Sequence, residues 1–327
     1  MITRIDLIKN KKLCADRAMG ALIGHAIGDS FGDAARSQEN HFLYGITMDF
    51  DERASWSTDD TDFALLTAQT LIAAKGNFME KHVLNSWKTH VATQNVLNRG
   101  GASEREAAAN IRRGLLPPDS GRYNSHYLSD GAAMRVTPIG IVCAGDPQRA
   151  ARYAEMEAQV SHWRDGIWGA QAVAAAVAVA MVGGAVDEII AAALECAPED
   201  SWFRHTLTKA LCVIDSSPSL EEAWMPLHSE LWTEYKAAAP EAVTEALAVF
   251  KLTDGDFRKG IIYGGNFGRD ADTIAAIVGA ISGARCGLNA IPEKWVEKVR
   301  YSTGTCLAFT KGMDILKIGK QLAQLIK

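Results

Sequence analysis

Two short segments of the chain combine hydroxyls with carboxylates. The first is Trp56-Ser57-Thr58-Asp59-Asp60-Thr61-Asp62, directly ahead of an apolar run that begins at Phe63. The second is Gly268-Arg269-Asp270-Ala271-Asp272-Thr273, directly ahead of the Ala- and Gly-rich stretch 275–284. Each offers a Thr hydroxyl and at least two carboxylates within a few residues. An all-oxygen set without His or Cys suits a hard divalent cation, Mg²⁺ or Mn²⁺, rather than zinc. The same residues also suit a helix start, where a hydroxyl caps orphan amides and carboxylates face the positive end of the macrodipole. Taken singly, each segment reads more simply as a helix N-terminus. If the two met in space, four carboxylates would repel one another strongly without cations between them.

The elements that must position these groups are helical in texture. Phe63, Leu66, Thr70 and Ala73 follow three-to-four spacing, as do Ala246, Val249 and Phe250. Ser103 with Glu106, and Ser219 with Glu222, predict capping boxes, and Pro292 predicts the first turn of a helix carrying Trp295, Val296 and Val299. The stretches 45–48 and 135–137 have some β texture but no alternation. Segments 28–36, 125–140 and 264–273 interrupt the helices with Gly, Asp and Ser, and are where chemistry is expected. No linker and no repeat divides the chain. The expectation is a single all-α domain over 1–327, with distant loops converging on one site.

Composition narrows the function classes. Among 327 residues, 34 Lys+Arg face 39 Asp+Glu, a net charge of -5, and 48% are hydrophobic. That balance excludes a disordered polyampholyte and a multi-span membrane protein, and gives no general basic surface for nucleic acid. The six cysteines are scattered singly and read as reduced core thiols. No apolar stretch follows the basic N-terminal residues, and the apolar run 169–186 has the small side chains of a buried helix rather than a membrane span. A cytoplasmic protein with no nucleic-acid or membrane partner is expected.

The motifs, in order, resemble those of the ADP-ribosylglycohydrolase family. They are Gly28-Asp29-Ser30-Phe31-Gly32, Trp56-Ser57-Thr58-Asp59-Asp60-Thr61, Ser129-Asp130-Gly131-Ala132-Ala133-Met134-Arg135, Ser161-His162 and Asn266-Phe267-Gly268-Arg269-Asp270-Ala271-Asp272-Thr273. The resemblance implies an all-α, mostly orthogonal bundle with two Mg²⁺ or Mn²⁺ ions in a cleft, held by Thr58, Asp59, Asp60, Asp270, Asp272 and Thr273. It implies hydrolysis of the ribosyl C1″ bond of an ADP-ribosylated protein or small compound, with ADP-ribosyl-arginine the first candidate. Asp130, Gly131, Ala132, Met134 and Arg135 would bind the ligand, the glycine turn letting backbone amides approach a pyrophosphate. His162 matches a ligand-contacting position, and Phe267, beside Gly268, offers an adenine stacking face, as does Tyr263. Without the resemblance, the turn, the histidine and the aromatics read as packing features.

Two positions depart from the pattern. Arg36 stands where many family members carry a Glu that serves to activate water, so Asp33, or Asp60 or Asp272 of the clusters, becomes the candidate base. Asp130 stands where hydrolases of ADP-ribosylated protein commonly carry Asn. An anion there is unfavourable beside pyrophosphate unless it accepts from ribose or pairs with Arg135. These departures keep two alternatives open: an N-ribosyl hydrolase of a smaller nucleoside-like compound, and a non-catalytic ADP-ribose binder or structural protein.

Overall fold

The computed structural model describes residues 1–35, 45–50, 56–217 and 219–327; Arg36 lies outside them. Among the described residues there is no strand beyond isolated bridges joining Ser129 to Ala238 and Tyr301 to Asp314. The fold is an all-α bundle, as expected. The site is framed by α1 (Lys11–Gly32), α2 (Asp59–Ala73), α3 (Ala102–Arg112), α4 (Asp165–Ala180), α5 (Ala239–Leu252) and α6 (Ala271–Cys286). A 3₁₀ segment, Asp130–Arg135, links these helices across the cavity described below.

The pairing of α1 with α6 organises the bundle. Gly20, Gly24, Gly28 and Gly32 recur every fourth residue and therefore share one face of α1. Opposite them, in reverse order, lie Gly283, Gly279, Ala275 and Ala271 of α6. A Cβ on any of the four α1 glycines would collide with the backbone of the facing residue. Bare backbones at these positions thus let the two helices approach much closer than ordinary ridge-into-groove packing allows. The consequence is functional: Asp29 near the C-terminal end of α1 and Asp272 in the first turn of α6 are brought to the same end of one tightly joined pair.

The apolar run becomes α4, buried on nearly every side, and no helix among the described residues is long and apolar enough to cross a membrane. All six cysteines are free; Cys14, Cys143 and Cys306 are buried, whereas Cys212 and Cys286 are exposed rather than in the core. Ser219 caps its helix by accepting from the Glu222 amide at 3.3 Å. Ser103 does not: Gly101 is the N-cap of α3, and the Ser103 hydroxyl donates inward to Glu104. Pro292 is itself an N-cap, one residue before the helical turn. The stretch 45–48 forms bends, and Arg135 closes the 3₁₀ segment.

Candidate active site

Thr58 opens α2 in extended conformation, its hydroxyl accepting from the Asp60 amide at 3.3 Å and donating to Asp29 Oδ1 at 2.6 Å. Asp29 also accepts from the Thr58 and Thr61 amides, at 3.0 and 3.2 Å, and from the Thr61 hydroxyl. One buried carboxylate from α1 therefore takes up four donors at the start of α2. Burial pushes the Asp29 carboxyl up to about 6, the donors from Thr58 and Thr61 opposing it. Asp62, one turn on, faces away from this clamp. It accepts from the Ser302 and Thr310 hydroxyls, both at 2.8 Å, and from the Cys306 and Leu307 amides at 2.8 and 3.0 Å. It thereby ties the C-terminal loop to the helix start.

Asp59 and Asp60 face a cavity of about 380 Å³. Asp270 and Thr273 from the start of α6 line the same cavity, with Asp130, Gly131 and Met134 from the 3₁₀ segment. Asp272 and Thr58 are fully buried at the two helix starts. The loop that delivers Asp270 is held in a strained form. Gly268 has φ 84°, and Arg269, which has a side chain, has φ 56°. Arg269 is anchored by Glu241 and donates to the Thr233 carbonyl at 2.6 Å. Lys236 completes this corner: its ammonium donates to the Arg269 carbonyl at 3.0 Å and lies 3.2 Å from Asp270 Oδ1.

Negative charge is concentrated here. Burial, followed by the neighbouring Asp270, Asp272 and Glu104, raises the Asp130 carboxyl well above its usual range. Its Oδ2 is buried with no hydrogen-bond partner. Asp130 does not pair with Arg135. That guanidinium, wholly buried, donates to Glu104 Oε1 at 2.9 Å and to both oxygens of Glu157 at 2.8 Å, and lies over the Trp87 ring.

The donor set fits a hard cation in kind: carboxylates from two helix starts, plus Thr58, whose hydroxyl proton is committed to Asp29. Among the described residues no three His, Cys, Asp or Glu side chains converge closely enough to hold an ion by themselves. Threonine hydroxyls and water would have to complete any coordination shell.

Most of the remaining sequence candidates make contacts within the protein. Asp33 is buried and accepts from Trp56 Nε1 at 2.9 Å and from Arg99, which itself lines the cavity. Ala132 is core. Gly131 is required for a reason other than phosphate approach, because a Cβ there would strike the Glu104 carboxylate. His162 is buried between the Ser129 and Ser161 hydroxyls; burial and then Arg135 push it well below the usual imidazole range. Phe267, 1% exposed, stacks on His228 at 4.2 Å and meets Trp224 at 4.8 Å. Gly268 is partly exposed in the loop, and the Tyr263 hydroxyl donates to Glu221 at 3.2 Å. Sequence reasoning missed Asp29's role, Glu104, and the cavity's cationic members Arg99, Arg105 and Lys236. Of these only Asp29 left a trace, as an acid inside a glycine stripe.

A profile of the ADP-ribosylglycohydrolase family matches residues 10–327. The chain belongs to the ADP-ribosylglycohydrolase family. This glycohydrolase is 26% identical to the ADP-ribosylarginine hydrolase Tri1 of Pseudomonas putida, over 88% of its own length and 75% of that protein. It is 22% identical to the ADP-ribosyl-[dinitrogen reductase] glycohydrolase of Rhodospirillum rubrum, over 87% and 90%. An uncharacterised protein of Archaeoglobus fulgidus is 29% identical over 87% and 92%. A solved structure described as an ADP-ribosylglycohydrolase-related protein complex shares the fold, with a TM-score of 0.63 at 21% identity, covering 96% of this chain and 98% of that one. The glycohydrolase is therefore an enzyme that hydrolyses a glycosyl bond of ADP-ribosylated substrates, and the alternative of a non-catalytic binder or structural protein falls away.

Proposed function

We propose that this glycohydrolase cleaves the C1″–N bond of ADP-ribosyl-arginine, on a protein or a small compound, and releases ADP-ribose with the help of two Mg²⁺ or Mn²⁺ ions. The observation that carries the reading is that acids from both helix starts, Asp59 and Asp60 on one side and Asp270 on the other, line one cavity. The arginine adduct is favoured by the relative named an ADP-ribosylarginine hydrolase. The ions would be held by Thr58, Asp59, Asp60, Asp270, Asp272 and Thr273. When bound, they supply charge neutralisation and orientation of a ribose diol and water. Within the chain, Asp60 is the preferred proton acceptor, with Asp272 second, because both Asp33 oxygens already accept from Arg99 and Trp56. As the water oxygen bonds to C1″ and the C1″–N bond breaks, Asp60 takes the water proton and passes that same proton to the leaving guanidine nitrogen, which ends the step with Asp60 again a carboxylate. The reading includes one domain over 1–327, supported by the length of the family match, and a cytoplasmic location, supported by the free cysteines.

Asp130 favours a second reading, a smaller N-riboside as substrate, because its buried carboxyl adds to the crowding of acids where a pyrophosphate would otherwise be received. Purified protein is offered ADP-ribosyl-arginine and a nucleoside panel with Mg²⁺ or Mn²⁺, and products are separated by chromatography. Release of ADP-ribose is expected, lost in Asp60→Ala and on chelation. Undiminished turnover after exhaustive chelation overturns the metal-dependent reading; turnover confined to nucleosides selects the second one.

A further inference from the structure

Glu104 is buried, contacts the cavity, and fits between two glycines, since a Cβ at either Gly101 or Gly131 would strike its carboxylate. Its contacts begin a closed circuit. Arg135 Nη1 donates to Glu104 Oε1 at 2.9 Å, and Ser103 Oγ donates to Glu104 Oε2 at 2.7 Å. Ser129 Oγ lies 2.9 Å from Ser103 Oγ and 2.8 Å from His162 Nε2. His162 Nδ1 lies 2.7 Å from Ser161 Oγ, which receives Arg135 Nη2 at 2.6 Å. The ring returns to the guanidinium from which it started.

Its two ends have fixed polarity, because a guanidinium only donates and a carboxylate only accepts. Ser103 must spend its proton on Glu104, so Ser129 must donate to Ser103. Ser129 then has no proton for the imidazole, so His162 Nε2 must carry the hydrogen and donate to Ser129. Nδ1 is left as the acceptor, and Ser161 donates to it while accepting from Arg135. The Gly131 amide, 3.2 Å from Ser129 Oγ, takes the hydroxyl's second lone pair. Within the ring the donors therefore all run one way; Tyr235, which also contacts the Ser129 hydroxyl, stands outside it. The burial that keeps His162 neutral is consistent with this.

We propose that Glu104 is a positioning residue that sets the Nε2–H tautomer of His162 through Ser103 and Ser129, and so locks the Ser129–Gly131 turn that presents Asp130 to the cavity. Ser103 and Ser129 both direct their protons into the ring, so neither hydroxyl offers a proton to the cavity.

Glu104→Gln tests this, because it keeps shape while reversing polarity. With its carbonyl facing Arg135, the new amide group must donate to Ser103. Ser103 then donates to Ser129, Ser129 to His162 Nε2, the imidazole proton moves to Nδ1, and Ser161 accepts from both Nδ1–H and Arg135 and turns its own proton out of the ring. The readout is ¹⁵N NMR of the full chain labelled at histidine, with His162→Asn used to identify the signal among eight histidines. Wild-type His162 should be one neutral Nε2–H tautomer from about pH 5 to about pH 8. Glu104→Gln should convert it to Nδ1–H and lower kcat/KM by about tenfold. The spectroscopic arm stands whether or not the hydrolase reading is right; only the kinetic arm rests on it. A wild-type Nδ1–H tautomer or imidazolium, or a folded Glu104→Gln protein with an unchanged tautomer, overturns the proposal. Should Glu104→Gln fail to fold, Ser161→Ala removes the donor to Nδ1: its resonance should shift while Nε2–H persists, and an unmoved Nδ1 signal overturns the proposal equally.

Discussion

The start of α2 and the start of α6 look alike in sequence, each a threonine with two or more aspartates, yet they are supported in opposite ways. At α2 the acids divide their labour. Asp62 accepts from two hydroxyls and two amides of the 302–310 loop, and Asp59 Oδ2 takes the Gly101 amide at 2.8 Å. Asp29 arrives from another helix to hold the threonines. At α6 the N-cap Asp270 makes no capping hydrogen bond from its side chain, sits on a strained loop, and lies beside Asp130 and the ammonium of Lys236. The α2 acids are held by amides and hydroxyls of the protein itself, whereas the α6 acids lie beside a further carboxyl, Asp130, with the Lys236 ammonium as a cationic neighbour. The difference teaches that composition identifies an acidic helix start, whereas its neighbours decide whether it is scaffold or site.

The comparison can be broken most severely by exchanging the two roles. Asp272→Asn should reduce turnover by about a thousandfold or more, the scale of a lost electrostatic group in a water-poor site, while thermal melting changes little. Asp62→Ala should do the reverse. It strands five donors, Ser57 among them, and should cost about 2–4 kcal/mol of stability by denaturant titration, with turnover per folded molecule largely kept. If the two variants behaved alike, the distinction between scaffold acid and site acid would fail.

A smaller effect follows from Asp29. Its folded value of about 6 lies above the ordinary 3.8, so the folded state binds more protons than the unfolded state between those values. The associated stability is therefore complete below about pH 4 and lost as pH rises through 6. Denaturation of metal-free protein across this window should show a falling component that Asp29→Asn abolishes, whatever that change does to absolute stability. The smallest effect belongs to Lys236, about a third exposed and paired with Asp270. Such a pair is worth roughly 0.5–1 kcal/mol. Lys236→Met should accordingly tighten Mn²⁺ binding about two- to fivefold by calorimetry; weaker binding would show that the ammonium supports the ion rather than competing with it.

Much of this was legible before any coordinates. The two acid clusters, the helical texture and the 125–140 and 264–273 segments that reach the cavity could be read from residue type and spacing, whereas the described part of 28–36 continues α1 and lines none of it. The glycines of α1 were visible only as part of a motif, because a stripe of small residues acquires meaning when its partner helix is known. The capping box at Ser103 was misplaced because Gly101 ends the preceding loop, freeing the hydroxyl for Glu104. Arg135 and Phe267 were read as ligand contacts, yet Arg135 balances two buried glutamates and Phe267 packs beneath His228. Buried polar partners of this kind come from distant segments, and local pattern carries no signal for them.

The central claim is that the two helix starts act together on cations. It is tested most directly by diffraction from Mn²⁺-soaked crystals, with data collected at the manganese absorption edge. The account predicts anomalous peaks inside the cavity, in contact with Asp59 or Asp60 on one side and Asp270 or Asp272 on the other, and their disappearance in Asp272→Asn. An empty cavity at saturating Mn²⁺, or peaks confined to other surfaces, would contradict it.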